Sequence, residues 1–265
     1  MDNRPIGIYD SGVGGLTSIN SFQDVLPSES IIYVGDTARA PYGAKTPAQI
    51  RRFSLEIADF LADSGAKMVI AACNTSSSYA MNTIKIAHPD VLVQGIIKPC
   101  AEQIARTCTL DNSIGIIATP ATVRSMAYER ELHKLRGALN IHSHACPDFV
   151  PAIEAGDFIG SRMEKIVADS LGEFINEYKI DTLVLGCTHY PLIRGSIEAI
   201  FPQLSIIDPS MSLALKVKKT LDEKNMRAEG SSRSMKVYAS HLTPQFETTL
   251  GMLGITADSI EEHRF

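Results

Sequence analysis

A short apolar run, stopped by a small residue, a cysteine and a string of polar side chains, occurs twice in this chain. Met68-Val69-Ile70-Ala71-Ala72 leads into Cys73-Asn74-Thr75-Ser76, and Thr182-Leu183-Val184-Leu185-Gly186 leads into Cys187-Thr188-His189-Tyr190-Pro191. Each run reads as a buried strand delivering a polar loop, and loops leaving a sheet are where site residues usually sit. The two cysteines stand 114 positions apart. A second pair of strands, Ile6-Gly7-Ile8-Tyr9 and Ile114-Gly115-Ile116-Ile117, repeats at an offset of 108. Two strand–loop pairs at nearly one offset predict two related halves, too divergent for an array of short repeats.

Helical stretches separate the strands. Thr46-Pro47 places a proline in a first turn, and Ile50, Phe53, Ile57 and Leu61 follow at helical spacing. Further strands are predicted at 31–34, 91–97, around 141–146, at 206–207 and near 235–238. A polar break at Glu229-Gly230-Ser231-Ser232 and a last helix complete the chain. Strands alternating with helices predict an α/β fold with mostly parallel sheets. The crossings fall at Lys98-Pro99 and at Ile206-Ile207-Asp208-Pro209. They predict one domain from residues 1–97 with 208–265, and a similar one from 98–207.

Composition narrows the partners. The 265 residues are 45% hydrophobic, ample for a core, and the formal charge of −5 offers no basic footprint for nucleic acid. No apolar run approaches a membrane span, and Met1-Asp2-Asn3-Arg4-Pro5 has no signal-peptide core. Five scattered cysteines fit a reducing compartment. The expectation is a cytoplasmic protein with free thiols and no membrane partner.

Three other stretches carry polar chemistry. Asp10-Ser11-Gly12-Val13-Gly14-Gly15-Leu16-Thr17 resembles a phosphate cradle, but Thr17 stands where a third glycine belongs and no Gly-Lys-Ser/Thr follows. Its amides could hold any anion, including a carboxylate; the competing account is that Asp10 or Ser11 caps a helix. Gly35-Asp36-Thr37-Ala38-Arg39-Ala40-Pro41-Tyr42-Gly43 is more polar than a turn needs, unless Asp36 and Arg39 form a structural pair. His142, His144 and Cys146 share one face of a strand, yet their spacing is unlike common zinc patterns. Glu154, taken alone, reads as a solvated charge. A lone cysteine after a strand is more often packing than chemistry.

Two such cysteines facing one cleft are another matter. One thiolate can take a proton from one face of a carbon while the other thiol returns one to the opposite face. The carbon inverts and the roles exchange. The obstacle is acidity, since a free thiol with pKa about 8.5 is only a few per cent thiolate at pH 7. His189 beside Cys187, and Asp10 on the other side, could assist; Ser11, Asn74, Thr75 and Thr188 could hold carboxylates and oppose the charge of a carbanion.

These motifs, Asp10–Leu16, Gly35–Arg39 with Pro41-Tyr42-Gly43, Ala72–Thr75 and Leu185–Pro191, resemble the glutamate racemase family in order and over essentially the whole chain. The resemblance implies interconversion of L- and D-glutamate without a cofactor or metal, supply of D-glutamate for peptidoglycan, a homodimer, and two similar domains with the site between them. It implies that Cys73 takes the α-proton of D-glutamate and Cys187 that of L-glutamate, with Asp10 and His189 assisting. It further implies substrate contacts from Asp10, Ser11, Pro41, Tyr42, Gly43, Asn74, Thr75, Thr119, Glu154 and Thr188. Ala118-Thr119 departs from the family's usual Gly-Thr, Ser76-Ser77 stands where alanine is frequent, and Lys98-Pro99-Cys100 replaces a Pro-Gly type of turn. The alternatives are an aspartate racemase or related isomerase, for which an acidic residue rather than Thr-His would follow the second cysteine, and a non-enzymatic binding protein.

Overall fold

The computed structural model describes residues 1–230 and 233–265. Its strands form two sheets, and every pair is parallel. The first sheet holds β1 (Ile6–Asp10), β2 (Ile31–Gly35), β3 (Met68–Ala71), β4 (Leu92–Gly95), β9 (Met235–Ala239) and β10 (Ser259–Glu262), in the order β10-β9-β2-β1-β3-β4. The second holds β5 (Ser113–Ala118), β6 (Asn140–Ala145), β7 (Thr182–Gly186) and β8 (Ser205–Ile207), in the order β6-β5-β7-β8. That order repeats β2-β1-β3-β4, so the two halves share one topology. Gly7 and Gly115, the pair at offset 108, both sit in the first strand of their half, which is flanked by the second and third. Both lie under packed side chains: a Cβ would come within 2.9 Å of Leu61 at Gly7 and of Ile180 at Gly115. The central strands are buried throughout, and apolar but for Asp10, Ser113 and Thr182 at their ends, because both of their faces are covered.

Twelve α-helices cover the sheets among the described residues: α1 (Ile19–Val25), α2 (Pro47–Asp63), α3 (Asn74–Tyr79), α4 (Met81–Ala87), α5 (Ile97–Thr107), α6 (Pro120–Ser125), α7 (Ala127–Arg136), α8 (Phe149–Glu154), α9 (Ser161–Tyr178), α10 (Arg194–Ile200), α11 (Pro209–Glu223) and α12 (Pro244–Met252). The α2 start follows from its sequence. Thr46 and Gln49 form a capping box with Pro47 in the first turn. Ile50, Phe53, Ile57 and Leu61 are buried, each worth roughly 1.5–3 kcal/mol of burial. The chain crosses between sheets along α5 and returns along α11. One continuous core runs from Ile6, Ile8 and Val237 through Phe22, Ile104, Leu132 and Leu213 to Ile114, Ile116 and Val184. The two sheets are thereby bonded through α1, α5, α7 and α11.

Two expectations need correction. The fourth strand stops at Gly95, and Ile97 already begins α5, so Lys98-Pro99-Cys100 is a first helical turn and not a loop. Proline is tolerated there because the first-turn N–H groups have no intrahelical partner. The chain also ends in a strand: β10 pairs with β9 after the last helix. Ser-Ile-Glu-Glu has no apolar run because an exposed edge strand buries little. In the predicted polar break, Glu229 and Gly230 are loop residues; Ser231 and Ser232 lie outside the described residues. No helix among the described residues is long and apolar enough to cross a membrane.

A buried ion pair pins the N-terminal segment and the loop after α11 to the first sheet. Lys67 Nζ donates to the carbonyls of Asp2 (2.6 Å) and Met226 (2.8 Å) and lies 2.6 Å from Glu29 Oε2, with both side chains fully buried. Two of its three N–H groups serve the carbonyls, and its charge faces the Glu29 carboxylate. Lys67→Met should destabilise the protein by about 3 kcal/mol, because the buried Glu29 carboxylate then keeps only the more distant Arg227 guanidinium (3.7 Å) as a counter-charge. Urea denaturation with an unchanged midpoint would contradict this.

Candidate active site

Parallel strands of one sheet end at one edge, and ligands of such sheets bind beyond it. β1 ends in Asp10 and Ser11, β3 in Ala72 and Cys73, β5 in Ala118 and Thr119, and β7 in Gly186, Cys187, Thr188 and His189. Hydrogen bonds join the edges of the two sheets. The Thr188 hydroxyl donates to Asp10 Oδ2 (2.9 Å), and the Thr17 hydroxyl donates to the Thr188 carbonyl (2.9 Å). The Thr75 hydroxyl bonds those of Thr119 (2.9 Å) and Thr122 (3.1 Å). The Tyr128 hydroxyl donates to Asn74 Oδ1 (2.7 Å). Both cysteine loops thus belong to one polar cluster between the sheets.

Cys73 is the N-cap of α3. Its sulfur accepts from the Ser76 N–H (3.5 Å), and its S–H donates to Ser11 Oγ (3.7 Å). Asn74, Thr75 and Ser76 are residue types that cap helices well, but here the thiol itself occupies the cap. Only 4% of Cys73 is exposed. Burial, and then the Asp10 carboxylate, push its thiol up to about 12, against the hydrogen bonds of Ser76 and Ser11. Asp10 is fully buried. Burial raises its carboxyl, opposed by the His189 charge, the Thr188 hydroxyl and the Gly12 and Gly15 amides. Its Oδ1 accepts from the Gly12 N–H at 3.0 Å. Asp10 therefore takes up amides that the anion-cradle reading left open. The short 3₁₀ turn over Gly14–Ser18 has no side-chain cap, so neither Asp10 nor Ser11 caps it.

Cys187 is 6% exposed and lies 3.8 Å from His189 Nδ1. The other ring nitrogen, Nε2, donates to Glu154 Oε1 at 2.7 Å. Burial alone would push His189 down; its bonds to Cys187 and Glu154 outweigh that and hold it at about 10. The imidazolium is thus charged at neutral pH and faces Cys187, whereas a carboxylate faces Cys73. Gly14 makes room for the ring, since a Cβ there would stand 2.3 Å from His189 Nδ1. Glu154, at the end of α8, is about a third exposed. The solvated-charge reading fails because the loop after β7 brings His189 against it.

The loop after β2 frames one wall. Asp36 accepts from Arg39 Nε (2.6 Å), from the Ser240 hydroxyl (2.8 Å) and from the Tyr42 hydroxyl, and Arg39 also bonds Glu56. Asp36 and Arg39 are the structural pair, and they hold Tyr42 and Gly43 in place. Gly43 approaches Thr119 so closely that a Cβ would meet it at 2.7 Å. Ser11, Tyr42, Gly43, Asn74, Thr75, Thr119 and Thr188 are buried in the cluster, while Pro41 is exposed at its rim. The histidines weighed as zinc ligands are occupied elsewhere: His142 stacks on Tyr178 and His144 on Phe174. Cys146 is buried in the second core. Thr17, Thr122 and Tyr128 escape sequence reasoning because each contact joins elements from opposite sheets. Surface cavities of about 750 and 540 Å³ open elsewhere, and none of Asp10, Cys73, Cys187 and His189 lines them.

The Asp/Glu/hydantoin racemase family matches residues 18–216. A glutamate racemase of Persephonella marina is 42% identical over 242 residues, covering 91% of this chain and 90% of that protein. One from Streptococcus mutans is 43% identical over 209 residues, 78% of each chain. The crystal structure of glutamate racemase from Francisella tularensis in complex with D-glutamate superposes with a TM-score of 0.92 at 34% identity, over 99% of this chain and 98% of that one. Identity at this level across most of the chain, with a fold that follows a solved racemase nearly end to end, makes this protein a member of the Asp/Glu/hydantoin racemase family, in its glutamate racemase branch.

Proposed function

We propose that this protein interconverts L- and D-glutamate by a two-base mechanism using Cys73 and Cys187. The observation that carries the reading is that the two thiols end equivalent strands, β3 and β7, of the repeated sheet and are tied together through the Asp10–Thr188 bond. The α-proton passes to one thiolate, and the electron pair it leaves delocalises into the substrate carboxylate. The opposite thiol then delivers its proton to the other face and becomes the thiolate. Cys73 serves D-glutamate and Cys187 serves L-glutamate. His189, charged and braced by Glu154, opposes negative charge on the Cys187 sulfur; Asp10 orients Thr188 and the Gly12 loop on the Cys73 side. The proton of the Thr188 hydroxyl is committed to Asp10, so that oxygen offers lone pairs to the substrate ammonium. Ser11, Tyr42, Gly43, Asn74, Thr75 and Thr119 surround the carboxylates, with Pro41 at the rim.

The same reading places the domain limits at 1–97 with 208–265 and at 98–207, supported by which strands join which sheet. It assigns the product to peptidoglycan synthesis in the cytoplasm, in keeping with five unpaired thiols. It also includes a homodimer, to be read by light scattering as twice 28.8 kDa.

The experiment is proton NMR in D₂O with purified protein and L-glutamate, no cofactor added, with chiral chromatography of the products. The α-proton signal should vanish as D-glutamate appears, with no exchange on aspartate. Exchange on aspartate alone would move the protein to an aspartate racemase. No exchange on either, from folded and reduced protein, would leave a binding role.

A further inference from the structure

The Asn74 side chain, next to Cys73, is held at one end and open at the other. Its Oδ1 accepts from the Tyr128 hydroxyl at 2.7 Å, while its Nδ2 is buried with no hydrogen-bond partner among the described residues. A buried N–H₂ without a partner is costly, and such groups in native proteins call for an explanation. A ligand oxygen would supply one.

Tyr128 stands on α7, among the helices of the second sheet, and is 2% exposed. Cys100 lies against the same hydroxyl. Burial pushes the Cys100 thiol up, so it keeps its own hydrogen and leaves that of Tyr128 for Asn74.

We infer that Tyr128 is a positioning residue: its hydroxyl holds the Asn74 amide with Nδ2 turned toward a substrate carboxylate. The inference rests on the glutamate reading above. The amide has two ends of opposite chemistry. With the carbonyl engaged by Tyr128, a donor faces the substrate; turned over, the carbonyl would face the carboxylate and repel it. Because the bond spans the two sheets, the amide is oriented only where they meet, beside the thiols.

Tyr128→Phe removes the hydroxyl and little volume. It should raise KM for both glutamate enantiomers about 10-fold, the scale of one hydrogen bond to a charged group, with kcat changed less than about 3-fold. In the Asn74→Ala background the same change should add less than about 2-fold, because a residue acting through Asn74 has nothing left to act on. A KM within 2-fold of the unmodified enzyme, or effects that multiply in the double variant, would overturn the inference. Asn74→Asp tests the orientation with Tyr128 intact. An oxygen then replaces the donor, so KM should exceed that of Asn74→Ala; a KM equal to or below it overturns the inference even if Tyr128→Phe fails to fold. The unmodified enzyme is assayed first. Absence of glutamate turnover there overturns the underlying reading as well, whereas turnover with an unmoved KM in Tyr128→Phe overturns the Tyr128 role alone.

Discussion

Cys73→Ser and Cys187→Ser will each lower glutamate racemisation by about 10³-fold, within the range that a positioned acid or base contributes. Serine keeps the size and the hydrogen-bonding role but is far harder to ionise. Water cannot stand in, because Cys73 and Cys187 are only 4% and 6% exposed. The environment of Cys73 sharpens the expectation. Burial and Asp10 push its thiol up to about 12, well above neutral pH. On the proposed mechanism, Cys73 therefore rests as the proton donor and becomes a base after giving its proton away. Chiral chromatography of each variant reads the outcome. Near-normal turnover by either one would refute the two-thiol mechanism. Circular dichroism and a thermal midpoint near that of the unmodified protein show that the loss is chemical.

His189→Asn will lower kcat for L-glutamate by about 10²-fold, the scale of removing one pre-organised electrostatic partner, and kcat for D-glutamate by less. The equilibrium constant of a racemisation is one, so kcat/KM must remain equal in the two directions. The asymmetry appears as a compensating difference in KM. The direction follows from the geometry: His189 lies 3.8 Å from the Cys187 sulfur, and its bonds to Cys187 and Glu154 hold it at about 10 against the effect of burial. Its positive charge is present below that value and lost as pH rises through it. Without the charge, proton removal by Cys187 becomes the slower step. The primary isotope effect with α-deuterated L-glutamate should rise, and that with the D-enantiomer should change little. Equal kcat losses and equal isotope effects in both directions would show that His189 does not act on Cys187 specifically.

The legible parts of this molecule are those whose information is local. β1, β3, β5 and β7 are buried on both faces, so they must be apolar, and the apolar runs located them. Thr46, Pro47 and Gln49 announce α2 because a capping box is built from adjacent residues. The strand-end cysteines stand out because small and polar residues stop each run. The edge strand β10 was illegible because it buries almost nothing, and the start of α5 because a first-turn proline reads equally well as a turn.

By itself, the sequence determined the two-fold repeat, the α/β class and the residues capable of the chemistry, all of which follow from periodicity and side-chain type along the chain. Only the tertiary structure decided how those residues pair. Glu154 reads as a solvated charge until the loop after β7 sets His189 2.7 Å away. Asp10 reads as a cap until it accepts from Thr188, 178 positions later. Tyr128 is one more aromatic on an amphipathic helix until its hydroxyl meets Asn74. A hydrogen bond needs two groups within about 3 Å, and in this protein the decisive ones join residues far apart in the chain, two of the three from different sheets. That proximity is created by the packing of α1, α5, α7 and α11 between the sheets, and no stretch of sequence records it.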